Sequence, residues 1–258
     1  MVSEVYLSII TPCYNPPAEW LTAYLEQVRA IENTFEDLSI EFIIVNDGSK
    51  KDLSPLFSPL PYPSLKWVSY SRNCGKGYAI REGVKHASGR YIIYTDLDFP
   101  FGTDCIQQIC DRLQNGYELV VGKRSKDYFD KLSLKRQVIS RTLKAMNYLW
   151  LPQELTDTQA GIKGFKKELK YLFLRNQTNS FVFEIEFLIR ASRLQNLEYT
   201  TVTVAPNENI TFSNFSIGVI GKEIQSLFRI LYPKVNTMQS EEKALKENRK
   251  ANLKRNIA

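Results

Sequence analysis

Three short apolar runs, residues 5–10, 40–45 and 91–95, each stop abruptly at a polar cluster. The clusters are Thr11-Pro12-Cys13-Tyr14-Asn15, Asn46-Asp47-Gly48-Ser49 and Asp96-Leu97-Asp98. Uninterrupted apolar runs of this length read as strands buried on both faces, as in parallel sheets. Between them lie stretches with helical spacing at residues 18–31, 75–86 and 103–113, the last with Thr103 as its N-cap. Further strands are read at 65–70, 118–121 and 198–204, and further helices at 132–150 and 184–194. The alternation predicts an α/β fold: a Rossmann-like, mixed but mainly parallel sheet with helices on both faces. Ligands of such sheets bind at the carboxyl ends of the strands, so the three polar clusters should share one rim.

The rim residues carry specific chemistry. Asp96 and Asp98 end the fourth strand, and residues two apart on a strand face the same way. Two such carboxylates can converge on Mg²⁺ or Mn²⁺, hard ions that also bind diphosphate oxygens. A metal placed there would neutralise charge on a departing nucleoside diphosphate. An acidic turn closing a strand would carry the same two residues, but the neighbouring rim clusters favour the metal. Asp47, at a second strand end, can accept from a base or ribose; it also suits a plain turn before Gly48. Asn73-Cys74-Gly75-Lys76-Gly77 opens a helix, where glycines admit phosphate and the helix start offers free N–H groups. Lys76 and Arg81 add positive charge, although the spacing is not that of a Walker A loop.

The 258-residue chain carries a net charge of +6, unevenly spread. Residues 122–145 hold Lys123, Arg124, Lys126, Lys131, Lys135, Arg136, Arg141 and Lys144 against Asp127 and Asp130. Lys163, Lys166, Lys167 and Lys170 form a second cluster. Both point to an anionic partner: phosphate, acidic lipid or nucleic acid. The cysteines (Cys13, Cys74, Cys105, Cys110) and the lone His86 fit no zinc spacing and read as reduced thiols. The first seven residues lack signal-peptide features, and no apolar run approaches the roughly 18 residues of a membrane span. The expected location is therefore cytoplasmic, free or peripheral at the inner membrane face.

The run from Asn73 to Asp98, N-C-G-K-G-Y-A-I-R-E-G-V-K-H-A-S-G-R-Y-I-I-Y-T-D-L-D, resembles the same segment of family 2 glycosyltransferases with the GT-A fold. Further matches are T-P-C-Y-N-P, V-N-D-G-S, Gly122-Lys123-Arg124-Ser125, Asp157-Thr158-Gln159-Ala160-Gly161-Ile162-Lys163 and Phe183-Glu184-Ile185-Glu186. Together they are most similar to the dolichyl- and polyprenyl-phosphate glucosyltransferase branch, in order over residues 5–205. The departures are Asn46 for the first acid of V-D-D-G-S, Glu184 for the Asp of F-D-x-E, Pro100 where some relatives place a metal-binding Gln, and no hydrophobic spans.

The resemblance implies roles. Pro12, Tyr14, Asn15, Asp47, Gly75, Lys76, Arg81 and Asp96 would bind the nucleotide sugar. Asp96 and Asp98 would bind Mg²⁺ or Mn²⁺, with Asp157 and Gln159 at the reaction centre. Arg124, Arg136 and Lys163 would meet the acceptor. Residues 1–210 would form the catalytic domain and 211–258 a helical extension. The implied reaction is inverting transfer of a sugar, expected from UDP-glucose, to a polyprenyl phosphate. A phosphate acceptor is already ionised and needs no strong base, whereas a hydroxyl acceptor would make Asp157 the candidate base. Two alternatives are a transferase using a sugar hydroxyl in polysaccharide synthesis and a non-catalytic nucleic-acid-binding domain. The second lacks the aromatic strand motifs of RNA binders, so no nucleic-acid partner is expected. The other expected partners are an anionic lipid phosphate, a membrane surface met through the 132–150 and 215–232 helices, and a second copy of the chain.

Overall fold

The computed structural model describes residues 4–57, 62–125, 134–158, 160–179 and 182–205. The expected extension at 211–258, its helix at 215–232 included, lies outside the described residues. Seven strands form one sheet: β1 (Leu7–Cys13), β2 (Ile40–Asp47), β3 (Leu65–Tyr70), β4 (Tyr91–Tyr94), β5 (Leu119–Arg124), β6 (Lys163–Lys166) and β7 (Tyr199–Val204). Their order is β3-β2-β1-β4-β6-β5-β7. Only β6 runs antiparallel to its neighbours, so the sheet is mixed and mainly parallel, as the sequence predicts.

The helices are α1 (Trp20–Thr34), α2 (Lys76–His86), α3 (Gly102–Gln114), α4 (Leu134–Asn147), α5 (Lys170–Leu174) and α6 (Phe183–Ser192). Alternation along the strands divides the core into two layers. Leu7, Ile9, Phe42, Ile44 and Ile93 pack with Tyr24, Val28 and Ile31 of α1 and Ile106, Ile109 and Leu113 of α3. Ile10, Ile43, Val45 and Ile92 pack on the other face with Ile80 and Val84 of α2 and Phe183 and Phe187 of α6.

Two local expectations change. Thr103 lies inside α3, whose cap position is Phe101, and no side-chain cap bond forms there. β1 and β2 continue through Cys13 and Asp47, because the parallel ladder extends to Cys13 opposite Asn46 and Asp47 opposite Tyr70. The strand registers bring Cys13, Asp47 and Tyr94 to one rim, and antiparallel β6 starts there with Lys163 opposite Tyr94.

Candidate active site

The acidic pair sits beyond the end of β4, which stops at Tyr94. Strand alternation therefore does not orient Asp96 and Asp98. A turn does, closed by the Phe99 N–H donating to the Asp96 carbonyl at 3.1 Å. Phe99 holds that turn in the left-handed region, φ 45°. For an L-residue this costs about 1–2 kcal/mol. Its buried ring, 5.4 Å from Tyr24, offsets this, since burying a Phe is worth roughly 1.5–3 kcal/mol.

Asp98 reaches solvent on one side. Desolvation on its inner side and the charge of Asp96 still push its carboxyl pKa up, with Lys76 opposing. Asp96 pairs with the ammonium of Lys76. Burial works against the charge on Lys76, but Asp96, Glu184 and Asp98 outweigh it and hold its pKa above the ordinary lysine value. Gly161 is pressed against Asp96. A Cβ on Gly161 would lie 2.5 Å from Asp96 Oδ2, so only glycine fits without moving the carboxylate.

Asp47 lies beneath the glycine-rich segment. Its Oδ1 accepts from the Tyr70 hydroxyl (2.9 Å) and the Cys74 N–H (2.7 Å), and its Oδ2 from Asn73 Nδ2 (3.0 Å) and the Gly75 N–H (2.9 Å). Both oxygens are fully engaged, so Asp47 organises the 73–75 loop. Burial and the Asp47 carboxylate together push the Tyr70 phenol pKa up.

One N–H of the helix start is also taken within the chain. The Gly77 N–H donates to the Asn179 carbonyl at 2.9 Å, and Gly75, at φ 97°, leaves that carbonyl its room. Arg81, expected near the nucleotide, is a clamp on the same segment. It donates to the Asn176 carbonyl (2.9 Å) and Asn179 Oδ1 (2.6 Å). Glu186, the last residue of the Phe183-Glu184-Ile185-Glu186 match, caps the other side of the segment by accepting from the Gln177 and Thr178 N–H groups.

The first two rim clusters are tied together. The Asn15 N–H donates to Ser49 Oγ (2.9 Å), and Asn15 Oδ1 accepts from the Lys50 N–H (2.8 Å). Asn46 accepts from the Ser49 N–H and donates to Ser69. Tyr14 is exposed above this junction and Pro12 is half-buried in β1.

The residues expected at the reaction centre and acceptor are mostly interior. Asp157 is buried and bound by Arg124, through Nε (2.9 Å) and Nη2 (2.6 Å) to Oδ1 and through the backbone N–H (2.8 Å) to Oδ2. Arg124 also donates to Ser140. Lys163 is 0% exposed, forms an ion pair with Glu184 at 2.9 Å, and donates to the Thr158 and Ala160 carbonyls. Burial, helped by Lys76, lowers its pKa against the pull of Glu184 and Asp157. Arg124 and Lys163, expected to meet the acceptor, hold Asp157 and the carbonyls of Thr158 and Ala160 from inside. Gln159 and the side chain of Arg136 lie outside the described residues. The remaining lysines of the second cluster each donate to a backbone carbonyl: Lys166 to Gly116, Lys167 to Ser88 and Lys170 to Ala87.

Two hard carboxylates, one of them paired with an ammonium, fit a divalent cation in donor type. Among the described residues no third acid, His or Cys joins them in a closed metal cluster. An open site of this kind leaves coordination positions for a ligand's oxygens.

A model of Glycosyl transferase family 2 matches residues 8–173. The chain belongs to this family. It is 30% identical over 246 residues to a dolichyl-phosphate beta-glucosyltransferase of Trichomonas vaginalis, covering 88% of this chain and 73% of that one. A second Trichomonas vaginalis protein of that name is 28% identical over 225 residues, 80% of this chain and 65% of its own length. A bactoprenol glucosyl transferase of Shigella phage SfV is 28% identical over 149 residues, 57% of this chain and 48% of that one. The chain thus spans under two thirds of most of these curated relatives.

Glucosyl-3-phosphoglycerate synthase of Mycobacterium tuberculosis, solved with Mn²⁺, UDP and glucosyl-3-phosphoglycerate, superposes with a TM-score of 0.58 at 18% identity, covering 90% of this chain and 82% of that one. Mannosyl-3-phosphoglycerate synthase of Rubrobacter xylanophilus gives a TM-score of 0.62 at 13% identity over 93% and 75%. These two likenesses establish the GT-A fold.

Proposed function

We propose that this chain transfers glucose from UDP-glucose to a polyprenyl phosphate with inversion at the anomeric carbon. One observation carries the reading. The acidic pair, the loop held by Asp47 and Gly161 meet at one rim, in a chain akin to dolichyl-phosphate glucosyltransferases. Asp96 and Asp98 would hold Mg²⁺ or Mn²⁺, which supplies positive charge for the departing diphosphate. Asp47 fixes the 73–75 loop, and Lys76 projects from it as a cation facing the same rim. The tied 15 and 46–50 loops shape the nucleoside side.

The protonation chemistry favours a phosphate acceptor over a hydroxyl. A hydroxyl needs a base with a free lone pair. Asp47, Asp157 and Glu184 are engaged within the chain, and Asp96 and Asp98 serve the cation. A phosphate oxygen, already anionic, attacks the anomeric carbon as the bond to the diphosphate breaks, with no proton to remove. Organic extraction after incubation with labelled UDP-glucose and polyprenyl phosphate tests this. Label is expected in the lipid phase, and label only in water-soluble glycan would overturn it.

An acceptor in a bilayer requires a route to it. No helix of the described residues is long and apolar enough to cross a membrane. α4 carries Lys135, Arg136, Arg141 and Lys144 and no acid. Val138, Arg141, Ala145 and Leu149 recur at helical spacing and are exposed, Leu149 at 71%, with exposed Tyr148 and Trp150 beside them. Basic charge beside exposed aromatic and aliphatic groups suits peripheral contact with an anionic surface. In liposome flotation the full chain should bind anionic but not neutral vesicles, and Leu149→Glu should weaken binding. Equal flotation of wild type and variant would exclude this face as the contact.

A further inference from the structure

We infer that the Lys76 ammonium and a divalent cation compete for Asp96, so that the cation enters with the donor's diphosphate and not ahead of it. The inference rests on the reading of Asp96 and Asp98 as metal ligands.

The backbone on either side of Lys76 is fixed. The Gly75 N–H is bound by Asp47 and the Gly77 N–H by the Asn179 carbonyl. The side chain therefore leaves a rigid base, and its Nζ pairs with Asp96 Oδ1. That oxygen belongs to the group a metal would need. Asp98 and Glu184 also act on the ammonium, but Glu184 already has its own ion pair, with Lys163.

The charge count sets the consequence. Three carboxylates face two ammonium groups, so only one negative charge is left unbalanced before anything binds. A divalent cation added alone would gain Asp98, which forms no ion pair among the described residues, but would meet the ammonium at Asp96. Like charges in a half-buried site repel strongly. A diphosphate changes the balance by bringing negative charge and offering the ammonium a new acceptor. Asp96 is then released to the metal. Lys76 thereby makes cation and diphosphate each raise the other's affinity, a coupling that must be reciprocal.

Titration of the full chain with Mn²⁺, followed by the electron paramagnetic resonance signal of free Mn²⁺ with and without UDP, tests this. Wild type should bind Mn²⁺ weakly alone and more tightly with UDP, within the usual coupling range of about 5–150-fold. Lys76→Met and Lys76→Gln, each confirmed to melt cooperatively, should bind Mn²⁺ alone at least about fivefold more tightly than wild type and show a smaller gain from UDP. Unchanged affinity for Mn²⁺ alone in both variants, with the UDP gain intact, would overturn the competition and leave the metal-dependent reading standing. Failure of every form to bind Mn²⁺, even with UDP, would overturn both.

Discussion

Asp157→Ala should destabilise the full chain by about 3–5 kcal/mol, the usual cost of removing one partner from a buried ion pair. Arg124 is buried beside Asp157, and its Nε, Nη2 and backbone N–H all donate to that carboxylate. Without Asp157 the buried guanidinium loses the carboxylate that accepts from its Nε and Nη2. Arg124→Met alone should also destabilise, through the unpaired carboxylate. The double variant should lose less than the sum of the singles, because neither charge is then left alone. Urea unfolding midpoints of the four proteins measure this. If Asp157 acted instead as a general base, Asp157→Ala would lose turnover while keeping wild-type stability.

Asp98→Ala should have the opposite profile. Transfer should fall by about 10³-fold or more, since metal stabilisation of a leaving group is worth several kcal/mol and each 1.36 kcal/mol is tenfold in rate. The melting temperature should stay level or rise slightly. Desolvation and the Asp96 charge already disfavour ionised Asp98 in the fold, so its carboxylate is held for function at some cost to stability. The sign follows from the raised pKa: the fold prefers the neutral form, and Ala supplies a neutral side chain at every pH. A variant that melts well below wild type, or retains full activity in excess chelator, would contradict this role.

The sheet was legible because its strands are near-continuous apolar runs and its rim is marked by polar residues directly after them. Ile40 to Val45 could hardly be anything but an interior strand, and Asn46 and Asp47 follow from it. The partners of the rim residues were not legible. Asp157 and Arg124 are 33 residues apart, and Arg81 meets Asn179 across 98. No periodicity encodes such pairs. In sequence Lys163 belongs to a basic cluster expected to meet an anion, yet β6 is an interior strand of the sheet and Lys163, at its rim end, is buried. The burial of that residue is set by topology. Asp96 and Asp98 were located correctly at the rim, but for the wrong local reason: a turn held by Phe99 orients them, and a positive φ at phenylalanine has no sequence signature.

Incubation of the full chain with UDP-glucose labelled in the sugar, a short polyprenyl phosphate and Mn²⁺, followed by water–organic partition, tests the central claim most directly. The account predicts organic-phase label that requires both the lipid phosphate and the metal, that is lost in Asp98→Ala, and that carries a β-linked glucosyl phosphate from an α-linked donor. Label transferred only to a water-soluble glycan hydroxyl, or lipid label formed equally well by Asp98→Ala in chelator, would contradict it.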